Sequence, residues 1–188
     1  MIKSESFLNI HTTSGGYFNR KKSSGVSFNS GEYVVYPTHG VGKVTNIAKQ
    51  TIAGSELELL VVNFDKDKMT LRVPMAKLGQ VGLRKISDDL TMKEALATLK
   101  GKPRIKKIMW SRRAQEYENK INSGNPIAVA EVIRDLHRSE NLAEQSYSER
   151  QIYEQAVERL ASEVAVYDNI SLEDASKKLL ETVSSRNL

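Results

Sequence analysis

The sequence predicts an α+β protein, with a small N-terminal β-barrel of short strands followed by a compact all-α C-terminal domain of about five helices. Two observations predict this. Apolar residues recur with period two from Phe28 to about Lys85, and with the period of a helix after that. Helix-start signals then punctuate the second half at Thr91, Asn125, Ser146 and Ser171. A chain of 188 residues is long enough for one or two domains with modest cores.

Residues 1–27 are rich in Ser, Gly, Asn and Thr without periodicity and are expected to form a flexible tail. A β-domain is expected over residues 28–85. Its first strand is Tyr33–Tyr36, and the second runs from Val41 to Ile47 after a Pro/Gly-rich break. Leu57–Phe64 is almost continuously apolar, as a strand covered on both faces would be. Asp65–Lys68 is a polar connection to a fourth strand in which Met69, Leu71 and Val73 alternate with Thr70 and Arg72. Val81–Leu83 would close the set. Strands this short need a closed or strongly twisted sheet to cover a core, hence the barrel.

The helical domain is expected over residues 86–188. Thr91–Glu94 reads as a capping box, and Gly101 with Pro103 ends the first helix. A second helix is expected from about Pro103 to Asn122. Asn125-Pro126 offers a cap and first-turn proline for a third, which carries Ile127, Ala130, Ile133 and Leu136 on one side. Ser146–Glu149 opens a fourth and Ser171–Asp174 a fifth.

Chemistry-bearing patterns are scarce. The chain has no cysteine and three histidines, none at i,i+4 from another, so no metal site or cofactor is expected. His39-Gly40-Val41-Gly42-Lys43-Val44 departs from a phosphate-binding loop at Pro37 and Val44 and joins two strands, so it reads as a turn. No nucleophile sits in a known local signature, and an enzyme is not expected. No apolar run would span a bilayer and the start does not resemble a signal peptide, so a cytoplasmic protein without membrane contact is expected. No heptad seam argues for a dimer, and a monomer is expected.

The net charge of +5 is unevenly spread. Residues 100–120 hold 8 basic and 2 acidic side chains, +6, whereas 121–188 hold 7 and 12, −5. The dense cationic run, with Lys106, Lys107, Arg112 and Arg113, suits phosphate. It contains the single tryptophan, Trp110. Trp110, Ala114, Tyr117 and Ile121 share one helical face, which favours a core position. The alternative is an indole beside cations that stacks on or wedges against a base step. Periodicity leaves both open. Alternation likewise turns Thr70 and Arg72 outward on a strand ending at Pro74, and proline there suits a sheet edge that a partner strand can extend. A solvated arginine is the plainer reading.

These segments together resemble a known family. Phe28-Asn29-Ser30-Gly31-Glu32-Tyr33-Val34-Val35-Tyr36-Pro37-Thr38-His39-Gly40-Val41-Gly42 resembles the opening of the CarD/CdnL transcription regulators, whose N-terminal module also occurs in the transcription-repair coupling factor. Leu71-Arg72-Val73-Pro74, Trp110-Ser111-Arg112-Arg113 and Ala130-Glu131-Val132-Ile133-Arg134-Asp135-Leu136 follow in the family's order. The resemblance implies a Tudor-like (SH3-like) β-domain that pairs an edge strand with the β subunit of bacterial RNA polymerase. It also implies a helical domain that touches promoter DNA at the upstream edge of the bubble with little sequence specificity. On that pattern Arg72, with Thr70, Val73, Pro74, Gln50 and Thr51, would meet polymerase. Trp110 would be the wedge, and Arg112, Arg113, Lys106, Lys107 and Arg150 would meet DNA. The chain departs from a family member at Gln50, where that member has a basic residue, and at Ala114-Gln115-Glu116, where that member's basic run continues. A free-standing DNA-binding protein and a polymerase adaptor without DNA contact are the alternatives.

Overall fold

Alternating apolar residues produce strands β1 (Tyr33–Tyr36), β2 (Gly40–Ile52), β3 (Ser55–Phe64), β4 (Met69–Pro74) and β5 (Arg84–Lys85) in the computed structural model, which describes residues 27–52, 55–138 and 145–185. Apart from Ser27, the expected tail lies outside the described residues. All pairings are antiparallel, in the order β4-β3-β2-β1-β5. One face gathers Val34, Val44, Leu60, Val62, Phe64 and Val73 into a core.

The sheet does not close into the expected barrel: β4 and β5 remain its two edges. Its open side is plugged by Phe28, Leu78 and Leu83, side chains that flank the strands rather than lie in them. The closing strand also falls later than Val81–Leu83. Gly82 takes φ +71°, a turn conformation, and pairing with β1 begins only at Arg84. β2 is correspondingly longer than the expected Val41–Ile47, and bends at a bulge between Val44 and Asn46.

The second half forms α1 (Asp89–Leu99), α2 (Trp110–Asn122), α3 (Pro126–Leu136), α4 (Tyr147–Asp168) and α5 (Leu172–Ser184). Asn125, Ser146 and Ser171 cap α3, α4 and α5 with their side chains, and Ser146 with Glu149 completes a capping box. The box expected at Thr91–Glu94 is not the start of α1. Asp88 caps that helix one turn earlier by accepting from the Thr91 amide, 2.9 Å. Helix α3 is central, burying Val129, Ala130, Val132, Ile133 and Leu136 among Met92, Leu99, Ile121, Leu160 and Leu179. Each of these buried side chains larger than alanine contributes about 1.5–3 kcal/mol.

Polar groups join the two halves. Arg84 forks onto Glu163, Nη1 to Oε1 at 2.6 Å and Nη2 to Oε2 at 2.8 Å, while its Nε donates to the Gly124 carbonyl at 2.9 Å. The Ser87 amide and hydroxyl also donate to Glu163, at 3.0 and 2.7 Å. Glu163 is buried, and a buried carboxylate is tolerated only with such a full complement of donors. Beside this lock the β1–β2 turn seats on the helices. Pro37 lies against Gly124, where a Cβ would come within 3.1 Å of it, and Arg159 reaches the Thr38 carbonyl across Gly40, where a Cβ would meet its Nη1 at 2.8 Å. The segment resembling a phosphate loop is thus a docking turn.

Candidate functional site

Two surfaces hold the residues singled out in the sequence. The first is the β4 edge. Leu71 and Val73 turn to the core, while Thr70 and Arg72 are exposed. Thr70 sits opposite Asn63 and donates to its side-chain oxygen at 3.2 Å; Arg72 sits opposite Val61. Pro74, opposite Leu59, ends the strand. An edge strand leaves part of its backbone hydrogen-bonding capacity outward, available for β-augmentation. The β2–β3 ladder continues past β4, with Gln50 opposite Leu57 and Thr51 opposite Glu56. By alternation Gln50 shares the face of Arg72, four residues along β2 from Asn46, the residue that pairs with Val61. That places it roughly 13 Å further along the sheet. Thr51 belongs to the opposite face.

The second surface is built around Trp110. The second helix begins at Trp110, not at Pro103, and residues 102–109 form an irregular basic segment. Asp135, buried in α3, explains this: its Oδ1 accepts from the Arg104 backbone amide at 2.9 Å and from Arg134 Nε at 2.8 Å. That bond holds the segment against α3, and Ile105 and Ile108, 39% and 38% exposed, have no core to enter. Burial first, and then the Asp135 charge, push the nearby Tyr117 hydroxyl above the ordinary tyrosine range.

Trp110 is half-buried. It packs on the margin of the helical core, its ring centre 6.5 Å from that of Tyr117, while Tyr117 and Ile121 on the same face are buried. Its Nε1 donates to Ser148 Oγ in the first turn of α4, 3.0 Å, and the Arg113 guanidinium lies 5.4 Å over the ring. The indole thus anchors α2 on α4 from the margin of the core and still meets solvent.

Around it the cations divide. Lys106 is paired with Glu116 at 2.7 Å, and Arg113 approaches Glu149 at 3.9 Å and the Lys106 carbonyl at 3.5 Å. Lys107, Arg112 and Arg150 are exposed and make no ion pair among the described residues. The first turn of α2 carries no acidic side chain and no side-chain cap, so the helix dipole adds to the positive field. Lys106, Trp110, Arg113 and the start of α4 form one connected patch, with Arg150 two residues beyond Ser148. The β4 edge belongs to the other half of the protein, across the Arg84–Glu163 lock.

Sequence reasoning missed Asp135, Ser148, Glu163 and Arg84. Asp135 left a faint signal, a charged residue inside the apolar stripe of α3. Ser148 and the lock left none, because their partners are 38 and 79 residues away.

The protein thus joins an open-edged sheet to a helical half with a basic patch, and the comparisons give its lineage. The model of the CarD-like/TRCF RID domain matches residues 28–87, and that of the CarD C-terminal domain matches residues 94–180. The chain belongs to the CarD-like family. It is 27% identical over 144 residues, 77% of this chain and 94% of the other, to the protein described as "Putative transcription factor YdeB" of Bacillus subtilis. It is 32% identical to the 72-residue N-terminal domain of Myxococcus xanthus CarD in a solution NMR structure, over 34% of this chain and 84% of that one, with a TM-score of 0.29.

Proposed function

We propose that this protein is a monomeric, non-enzymatic, cytoplasmic transcription regulator that docks on RNA polymerase and steadies the open promoter. Edge strand β4, with Arg72 at its centre and Thr70 and Pro74 beside it, pairs with the polymerase β subunit; Val73 holds the strand to the core, Gln50 extends the same face along β2, and Thr51 lies on the opposite face. The patch of Trp110, Arg112, Arg113, Lys106, Lys107 and Arg150 meets DNA at the upstream edge of the bubble. The observation that carries this is the joining of an exposed sheet edge to a basic, tryptophan-centred patch through a buried ion pair. Membership of the CarD-like family supports it.

Docking raises the effective concentration of the helical half at the DNA, so weak contacts suffice. The indole and its cations meet the opened junction more favourably than closed duplex, where unstacking a step costs a few kcal/mol. A preference of about 1.4 kcal/mol for the opened state shifts the equilibrium about tenfold. Phosphates and a minor-groove edge carry little sequence information, so promoter preference stays low. The pairing of Lys106 with Glu116 leaves fewer free cations for phosphate, a smaller footprint than the family pattern.

Arg72→Glu tests the docking half, since Arg72 is exposed and its loss leaves the fold intact. The variant should lose capture of RNA polymerase while keeping wild-type thermal stability. Unchanged polymerase affinity would overturn the assignment of β4.

A further inference from the structure

Tyr147, the first residue of α4, is 76% exposed. Three observations set it apart from a scattered surface ring. It precedes Ser148, the residue that holds the Trp110 indole, so the two rings stand on adjoining elements. It shares a helix face with Arg150 and Gln151, at i+3 and i+4, and the Gln151 amide donates to its hydroxyl at 2.7 Å, which steadies the ring. Arg150 is exposed and makes no ion pair among the described residues, and Glu149, in the same turn of α4, is engaged with Arg113 and Arg138, while Glu154 lies a further turn along.

The geometry of Trp110 adds the decisive contrast. One side of its ring lies on the helical core and Arg113 covers another, so it offers an edge more than a free face. Tyr147 offers the face. A duplex base has both faces covered by its neighbours, and only an unpaired one gains by stacking on a protein ring. Tyrosine suits this because it has few rotors to immobilise. We propose that Tyr147 is a second nucleic-acid contact, a platform on which an unpaired base at the edge of the opened promoter stacks, with Arg150 on the adjacent phosphate. This rests on the proposed function and names a residue within it.

The test uses the full chain with RNA polymerase on a promoter. It reads the protein concentration that gives half-maximal extension of open-complex lifetime. Tyr147→Ala should raise that concentration about tenfold, within the loss expected from one base–aromatic stack. Tyr147→Phe should stay near wild type, because the ring and not the hydroxyl makes the contact. Polymerase capture should be unchanged in both. A wild-type value for Tyr147→Ala, with Trp110→Ala impaired, would overturn the role of Tyr147 and leave the proposed function standing. Loss in Tyr147→Phe equal to that in Tyr147→Ala would also overturn it, by pointing to the Gln151 bond. So would loss of polymerase capture, which would make the ring a protein contact. If wild type itself extends no lifetime, the proposed function falls and this inference with it.

Discussion

Arg84→Ala breaks the lock between sheet and helices, and its cost can be worked from the bonds it removes. Glu163, its side chain 5% exposed, loses both arms of the fork and keeps only the amide and hydroxyl of Ser87. The Gly124 carbonyl loses its donor as well. Removing one partner of a buried ion pair costs about 3–5 kcal/mol. Arg84 is 29% exposed, so water can enter the vacated space, and the lower end, about 3 kcal/mol, applies. With a urea slope of about 2 kcal/mol per molar, the midpoint should fall by about 1.5 M. Trp110 is the single tryptophan and sits in the helical half, so its fluorescence reports that half alone. Wild type should show coincident fluorescence and far-ultraviolet circular dichroism transitions, and Arg84→Ala should separate them. A shift below about 0.3 M with transitions still coincident would refute the view that this pair couples the domains.

Trp110→Phe removes the bond to Ser148 and should cost about 1 kcal/mol. Trp110→Ala should cost about 2–3 kcal/mol, less than the 3–5 of a fully buried aromatic, because the ring is half-buried. Urea titration of both checks the order, and a Trp110→Ala that does not fold would show a core residue. The Lys120 ammonium, bonded at 2.8 Å, holds the Glu131 carboxyl below its usual range. A depressed carboxyl contributes stability in full above its unfolded value, about 4.3, and loses it as pH falls through the lower folded value. Glu131→Gln should therefore flatten the acid limb of a stability–pH profile. An unchanged limb would show that the pair contributes nothing.

Local patterns carried much of this fold. Alternation at Tyr33–Tyr36 and Met69–Val73, and the caps at Asn125, Ser146 and Ser171, placed strands and helices because each signal lies within a few residues of its effect. The outward direction of Arg72 and its edge position followed from the same alternation and from Pro74. The misread stretch at 103–109 has helical spacing at Ile105 and Ile108. There the segment is held to α3 by the Arg104 amide bond to Asp135, and Ile105 and Ile108 find no core that would reward a helix. The open sheet was hidden because closure depends on where Leu78 and Leu83 pack, not on strand pattern. Trp110 stayed ambiguous for a physical reason: a residue on the margin of a core satisfies the periodicity of a buried one.

The most direct measurement follows a fluorescent base at the upstream bubble edge while RNA polymerase opens a promoter, alone, with this protein, and with Trp110→Ala. Wild type should lengthen the life of the open state, and Trp110→Ala should lose most of that gain while still binding polymerase. Identical traces with and without the wild-type protein, at concentrations where it is bound to polymerase, would contradict bubble stabilisation by the Trp110 patch.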